Sequence, residues 1–163
     1  MDVNEKIVDE WARLCRHQFT MPNISVPVPR NYSDIDILAY DPKEKLFYDY
    51  EVKFRSIKWV GATPSETTAA LVRQLLRPER EKRIRQIIGD APRKKVFVTS
   101  GLMLKGKKEN ELRHEFEKNG IQILTFEKIL DDLNEVIDAK GRYNSEVPQL
   151  LRMLKLYKDR GRE

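Results

Sequence analysis

The stretch from residue 33 to residue 55 constrains the fold more than any other part of the chain. Its second half alternates mainly apolar with mainly charged positions, and a period of two is typical of a half-buried β-strand. Its first half alternates in the same way, with Ile35, Ile37 and Ala39 on one side. The sequence DPKEK between the halves supplies Asp and Pro where a tight turn favours them. The stretch therefore predicts a two-stranded antiparallel hairpin.

The two apolar sets of the hairpin fix its register. If the hairpin is symmetric about its turn, the apolar residues lie opposite one another in three pairs: Ile35 with Val52, Ile37 with Tyr50, and Ala39 with Tyr48. A slip by one residue would turn one set toward the solvent, so the pattern specifies the register up to even shifts.

The same register brings acidic groups and a lysine together on the opposite face. Asp36 lies opposite Glu51, and Asp34 lies opposite Lys53. Directly opposed side chains have Cβ atoms roughly 4.5–5.5 Å apart. Two carboxylates at that distance repel each other unless a positive charge lies between them. A divalent metal ion bound by hard oxygen ligands suits this position.

Asp36, followed after a short turn by Glu51, Val52 and Lys53, resembles the signature of the PD-(D/E)xK nucleases, which share the restriction-endonuclease-like fold. The chain is more similar to archaeal Holliday-junction resolvases and small RecB-like nucleases than to large restriction enzymes. The residue before Asp36 is isoleucine rather than proline, which leaves Asp34 as a rival for the metal-binding aspartate. The resemblance implies an α/β fold, in which a mixed β-sheet is flanked by helices in the order αβββαβαβ, with an extra C-terminal helix.

The resemblance also implies a reaction, the metal-dependent hydrolysis of phosphodiester bonds by an endonuclease. The expected substrate is DNA rather than RNA, and the expected cofactor is Mg²⁺, with Mn²⁺ as its substitute. Asp36 and Glu51 would bind the metal ion together with the backbone carbonyl of Val52. A metal ion so bound lowers the pKa of a water molecule and screens the phosphate. Lys53 would position that water and stabilise the developing negative charge.

Two residues outside the hairpin complete the catalytic set that the resemblance implies. A glutamate of the first helix reaches the metal site in this family, and Glu5 at the helix start fits that role better than Glu10. Gln74 lies on the helix after the hairpin, where related nucleases often carry a glutamine. Trp59, in the loop between the two, could stack on a base or ribose or pack back on the domain.

Arginines that follow the hairpin are candidates for contact with nucleic acid. Arg73 and Arg77 are i,i+4 neighbours and could hold a phosphate on one surface. The segment PEREKRIRQIIG predicts a strongly basic helix, from which Arg80 and Arg83 would contact the nucleic-acid backbone. The alternative is an ordinary exposed helix whose arginines pair with its own glutamates.

The rest of the chain predicts further helices and strands. Asn4 would cap a helix over about residues 5–17, and the prolines at 27 and 29 exclude a central strand at residues 24–28 and leave an edge strand or an extended entry. Gly89 would end the basic helix, and KKVFVTSG and IQILTF read as two buried strands. We expect a core domain over residues 1–142 and a basic amphipathic helix over residues 143–163, with an apolar face formed by Leu150, Leu151, Leu154 and Tyr157.

Composition limits the class of protein. With 163 residues and a net charge of +5, the chain suits a single basic domain with an anionic partner such as nucleic acid. Its one cysteine excludes an internal disulfide and fits a reducing compartment. The sequence has no apolar run as long as a membrane span and no signal-peptide pattern at its start, so we expect a cytoplasmic protein that does not enter a membrane.

Two other functions fit the same sequence. The fold could bind nucleic acid without cutting it, or the tail helix could bind a partner or a second copy of the chain. The resemblance implies a homodimer, because two strands must be cut and many relatives therefore work as dimers.

Overall fold

The computed structural model describes residues 1–28, 31–54, 64–104 and 109–160, so Trp59 lies outside the described residues. Helices and strands follow one another in the predicted order. The elements are α1 (Val3–Leu14), β1 (Phe19–Val28), β2 (Asn31–Asp41), β3 (Leu46–Lys53), α2 (Pro64–Leu75), α3 (Pro78–Ile88), β4 (Arg93–Thr99), a 3₁₀ turn (Gly101–Leu104), α4 (Glu109–Lys118), β5 (Ile121–Thr125), α5 (Phe126–Val136) and α6 (Glu146–Arg160).

The strands form one mixed sheet in the order β1-β2-β3-β4-β5. The β1–β2 and β2–β3 pairs are antiparallel, whereas β4 and β5 run parallel to β3. The predicted α/β fold, a mixed sheet flanked by helices, is confirmed. β1 lies at an edge of the sheet, as its prolines predict, because a proline cannot donate a ladder hydrogen bond.

Helices cover both faces of the sheet. On one face, α1 and α5 pack around Tyr50 and Val98. On the other face, α2 and α4 pack around Phe97, and α3 packs against Leu38. The central strand β3 is therefore buried on both sides, whereas its alternation predicted one buried face. Its charged residues must consequently find partners inside the protein.

The register of the hairpin is confirmed where the two strands pair. Ile37 lies opposite Tyr50, and Ala39 lies opposite Tyr48. Asp41 begins the turn, and its carboxylate accepts hydrogen bonds from the backbone N–H groups of residues 43 and 44 at 2.9 and 3.0 Å. This local cap explains why the DPKEK sequence reverses the chain at this point.

The prediction that Ile35 shares the core face of Ile37 is wrong. Ile35 packs with Leu38 and with Ile84 of α3 on the other side of the sheet. The β2–β3 pairing ends at Ile37, and the β1–β2 pairing skips Asp36 and the residue opposite it, Asn23. Asn23 has a φ of 51°, in the left-handed region. The strands are thus distorted beside Asp36, which breaks the alternation of side chains.

The first helix begins two residues earlier than predicted. Asp2, rather than Asn4, is the N-cap, and its carboxylate accepts hydrogen bonds from the N–H groups of Asn4 and Glu5. The Glu5 carboxylate in turn accepts a hydrogen bond from the Asp2 N–H at 2.9 Å, which completes a capping box. The prediction that Asn4 is the N-cap is wrong. A capping box pairs the N-cap with a glutamate three residues later, and Glu5 has that position relative to Asp2.

The C-terminal helix α6 contacts the domain with one side only. Pro148 is buried, Leu151 packs against the core, and Lys155 donates hydrogen bonds to carbonyl groups at the end of α5. The other members of the predicted apolar face, Leu150, Leu154 and Tyr157, lie on the opposite side of α6 and are exposed. Among the described helices, none combines the length and the apolar character needed to span a membrane.

The capping box predicts different effects for two neighbouring substitutions. Asp2→Ala removes the N-cap carboxylate and should lower the free energy of unfolding by about 1 kcal/mol. Asn4→Ala lies inside the helix and should be neutral or slightly stabilising. Urea unfolding followed by circular dichroism measures both, and a larger loss for Asn4→Ala than for Asp2→Ala would contradict the assignment.

Candidate active site

The candidate site lies at the end of β3, where β2 separates from it. Val52 lies beyond the last β2–β3 pair, and its N–H donates to Oδ2 of Asp36 at 2.7 Å. The Asp36 side chain thus takes over the role of the next backbone acceptor in the ladder. This bond fixes the carboxylate against β3, and Asp36 is only 7% exposed.

Lys53 lies beside both motif carboxylates. Its Nζ is 3.0 Å from Oε1 of Glu51 and 4.0 Å from Oδ2 of Asp36. Its backbone carbonyl accepts a hydrogen bond from the Thr99 hydroxyl at 2.9 Å, which holds the end of β3 to β4. The three residues predicted from the hairpin therefore come together in one cluster.

Gln74 reaches this cluster from α2. Its Nε2 donates to Oε1 of Glu51 at 2.9 Å, and the same oxygen forms the ion pair with Nζ of Lys53. The structure thus places Gln74 where the resemblance implied an assisting residue. Its described contact is with Glu51, so it restricts the rotation of that carboxylate.

Arg80 belongs to the cluster, although the sequence predicted it on a surface that contacts nucleic acid. The residue is 2% exposed. Its Nη1 lies 2.9 Å from Oε2 of Glu51, and its Nη2 lies 2.6 Å from Oδ1 of Asp49. The predicted contact with nucleic acid is wrong, because both ends of the guanidinium are engaged inside the protein. A sequence signal was present: Arg80 precedes Ile84 by four residues and so shares the apolar side of α3.

Asp49 is the residue of this cluster that the sequence analysis did not single out. It is fully buried on β3, two residues before Glu51. Its Oδ2 and the Nε of Arg80 both lack a hydrogen-bond partner within the described structure. A charged residue at a central position of a buried strand is the signal that could have found it, since such a charge requires an ionic partner.

The surroundings of Asp36 disfavour its charged form. Burial, and then the negative charge of Glu51, raise the pKa of Asp36 to about 7, against the opposing effects of Lys53 and of the Val52 N–H. For Lys53, burial lowers the pKa, but the Glu51 and Asp36 carboxylates outweigh burial and raise it. Lys53 is therefore a protonated donor at neutral pH.

The structure links one of the two candidate glutamates of α1 to this cluster. Glu5 adds to the negative potential at Asp36 and is the weakest of the influences on its pKa. Its carboxylate is also engaged in the capping box with Asp2. Glu5 therefore acts on Asp36 through its charge, and the choice of Glu5 over Glu10 stays a prediction.

The remaining arginine candidates lie on or near the surface. Arg73 is exposed on α2, and Arg77 is exposed at the N-cap of α3 with an extended ψ of 132°. Arg77 lies between α2, which ends at Leu75, and α3, which begins at Pro78, so the two arginines are not one turn apart on a continuous helix. Their contact with a phosphate stays a prediction. Arg83 is half-buried, and its Nε donates to the carbonyl of Ser25 at 3.2 Å.

The donor atoms of the site fit a hydrated hard cation. Asp36 and Glu51 provide carboxylate oxygens, and the repulsion between them would fall if a cation were bound. Within the described residues, no group of three or more His, Cys, Asp or Glu is arranged to hold a metal ion. Mg²⁺ is commonly bound by one or two carboxylates and keeps several waters. The two carboxylates therefore suit Mg²⁺ or Mn²⁺ and do not form a closed protein cage.

Comparison with known proteins supports the fold alone. The chain is similar to a crystal structure of a protein of unknown function, AF1548, with a TM-score of 0.50 and 18% sequence identity. The match covers 80% of this chain and 66% of the other chain. No family model matches the chain, and no curated protein matches it.

The raised pKa of Asp36 predicts an unusual pH dependence of stability in EDTA. Between the unfolded value near 3.8 and the folded value near 7, the folded state holds a proton that the unfolded state has lost. The free energy of unfolding should therefore fall as pH rises through this window, by about 2–4 kcal/mol.

Asp36→Asn should remove this part of the pH dependence and stabilise the metal-free protein at pH 8 relative to the original chain. Asp90→Asn, at an exposed position after α3, is the matched control and should keep the original slope. Urea unfolding at a series of pH values measures this difference. Equal slopes for the original chain and Asp36→Asn would contradict the assignment.

Proposed function

We propose that this protein is a metal-dependent nuclease of the PD-(D/E)xK type, which hydrolyses phosphodiester bonds in nucleic acid, with DNA as the expected substrate. The observation that carries the proposal is the convergence of Asp36, Glu51 and Lys53. The two buried carboxylates come from different strands, and Lys53 lies within 4.0 Å of both. An ion pair serving stability alone would not require a second, partly protonated carboxylate beside it.

Each residue of the cluster has a role that follows from its contacts. Asp36 and Glu51 would hold Mg²⁺ or Mn²⁺ with the carbonyl of Val52, and the ion would supply an activated water and a counter-charge for the phosphate. Lys53, which is protonated and 29% exposed, can donate a hydrogen bond to a substrate oxygen on which negative charge develops. Gln74 keeps Glu51 in one orientation.

A nucleic-acid-binding domain that does not cut is the second candidate. The contacts of Glu51 favour it, because the two carboxylate oxygens of Glu51 are already paired with Lys53, Gln74 and Arg80. A carboxylate whose oxygens already have cationic and hydrogen-bonding partners binds a further cation less readily. The homodimer and the preference for DNA over RNA remain predictions for both candidates.

The first test of the proposal is cleavage of labelled single-stranded DNA, duplex DNA, four-way junctions and RNA, each with Mg²⁺, Mn²⁺ or EDTA. We expect cleavage that requires the metal ion. Lys53→Ala should lower the rate by about two to three orders of magnitude, because one donor to the developing charge is lost. Lys118→Ala is the matched control: Lys118 is exposed before the start of β5, at the opposite end of the parallel strands.

The outcomes separate the two candidates. Binding that weakens steeply with added salt, without cleavage under any condition, would favour the non-cutting domain. Cleavage that persists in EDTA, or at full rate in Lys53→Ala, would contradict the proposed mechanism.

A second test distinguishes the two aspartates of β2. Asp36→Asn should abolish cleavage, because its carboxylate adjoins Lys53 and Glu51. Asp34→Asn should retain cleavage, because the described link of Asp34 to the cluster is through its backbone carbonyl, which accepts from Arg80 at 3.1 Å. Rates measured with both variants under the same metal concentration decide the assignment. The reverse result would place the metal-binding aspartate two residues earlier.

A further inference from the structure

Arg80 lies between two buried carboxylates of the same strand. Asp49 and Glu51 alternate along β3 and so point to the same face of the sheet, and both are at most 2% exposed. The guanidinium contacts one with each terminal nitrogen, at 2.6 and 2.9 Å. It thus holds the two side chains as a single bridging cation would.

The charges of the cluster also suggest what Arg80 replaces. Among the side chains in direct contact, three carboxylates, Asp36, Asp49 and Glu51, meet two cationic side chains, Lys53 and Arg80, which leaves one negative charge when all are ionised. One bound divalent cation would change the net charge of these side chains from one negative to one positive. A second divalent cation would leave a large positive charge in a buried region, which is costly without further anions.

One oxygen atom of the ion pair between Asp49 and Arg80 is available for a further ligand. Oδ2 of Asp49 is buried and has no hydrogen-bond partner within the described structure. With Arg80 removed, this oxygen, Oδ1 of Asp49 and Oε2 of Glu51 would line the vacated space. Carboxylate oxygens of this kind are ligands that Mg²⁺ and Mn²⁺ accept.

We propose that Arg80 takes the place of a second metal ion, so that the site binds one divalent cation and loss of Arg80 opens a second cation site between Asp49 and Glu51. The proposal rests on the proposed function for the first cation, at Asp36 and Glu51. Arg80 is in this view a positioning residue, which fixes Glu51 for that cation without contacting the substrate.

The experiment counts Mn²⁺ ions bound by the full chain, using the electron paramagnetic resonance signal of free Mn²⁺ during titration. The original chain should bind one Mn²⁺ at the cluster. Arg80→Met, which keeps an apolar stem but removes the charge, should bind two. Arg80→Lys keeps the positive charge and should bind one. Binding of two ions by the original chain would overturn the proposal.

Arg80→Met leaves two buried carboxylates without a counter-ion and could unfold for that reason. Circular dichroism during the same Mn²⁺ titration covers this case, because an ion that replaces the guanidinium should restore the fold. The double variant Arg80→Met with Asp49→Asn removes one of the two charges. It should fold without metal and bind one Mn²⁺, about tenfold or more weakly because Glu51 has lost its support. Folded Arg80→Met with one ion, or unfolded Arg80→Met that Mn²⁺ does not refold, would overturn the proposal.

Asp36→Asn separates this proposal from the proposed function. Placed in the original chain, it should abolish Mn²⁺ binding, and placed in Arg80→Met it should leave the second ion. A chain that binds no Mn²⁺ would overturn the proposed metal site and the present inference together. A chain that binds one ion, lost in Asp36→Asn, but gains none in Arg80→Met would overturn the inference alone.

Discussion

The buried carboxylate of Glu51 is the constraint on which much of the structure depends. A charge removed from water is costly unless it is paired and hydrogen-bonded. The partners of Glu51 come from three elements, with Lys53 on β3, Gln74 on α2 and Arg80 on α3. The two helices are therefore held to the sheet by polar contacts as well as by their apolar sides.

The carboxylate of Asp36 takes part in the separation of β2 from β3. If the β2–β3 ladder continued, Val52 would pair with a backbone carbonyl and not with the Asp36 side chain. The distortion at Asn23 and Asp36 instead turns Asp36 toward β3, at 2.7 Å from the Val52 N–H. A regular sheet would thus be incompatible with this cluster, and the irregularity is confined to the two positions that the β1–β2 pairing skips.

Local patterns in the sequence predicted the features that depend on periodicity. The register of Ile37 with Tyr50, and the order of helices and strands, follow from apolar residues at regular spacing and from turn residues. The spacing of Arg80 to Ile84 indicates that this arginine turns inward, but its partners could not be predicted in this way, because the pairing with Asp49 joins positions 31 residues apart. The prediction for Ile35 was wrong for a related reason. Alternation of side chains assumes a regular ladder, and the β2–β3 ladder ends at Ile37.

The contacts of Glu51 and Lys53 also have a consequence for the protein while it is being synthesised. Gln74, Arg80 and Thr99 all lie later in the chain than the hairpin they support. When only the hairpin of a nascent chain has emerged from the ribosome, the acidic residues of the hairpin have neither α2 and α3 nor β4 beside them. The polar contacts that hold Glu51 and the end of β3 can therefore all form only after Thr99 has left the ribosome.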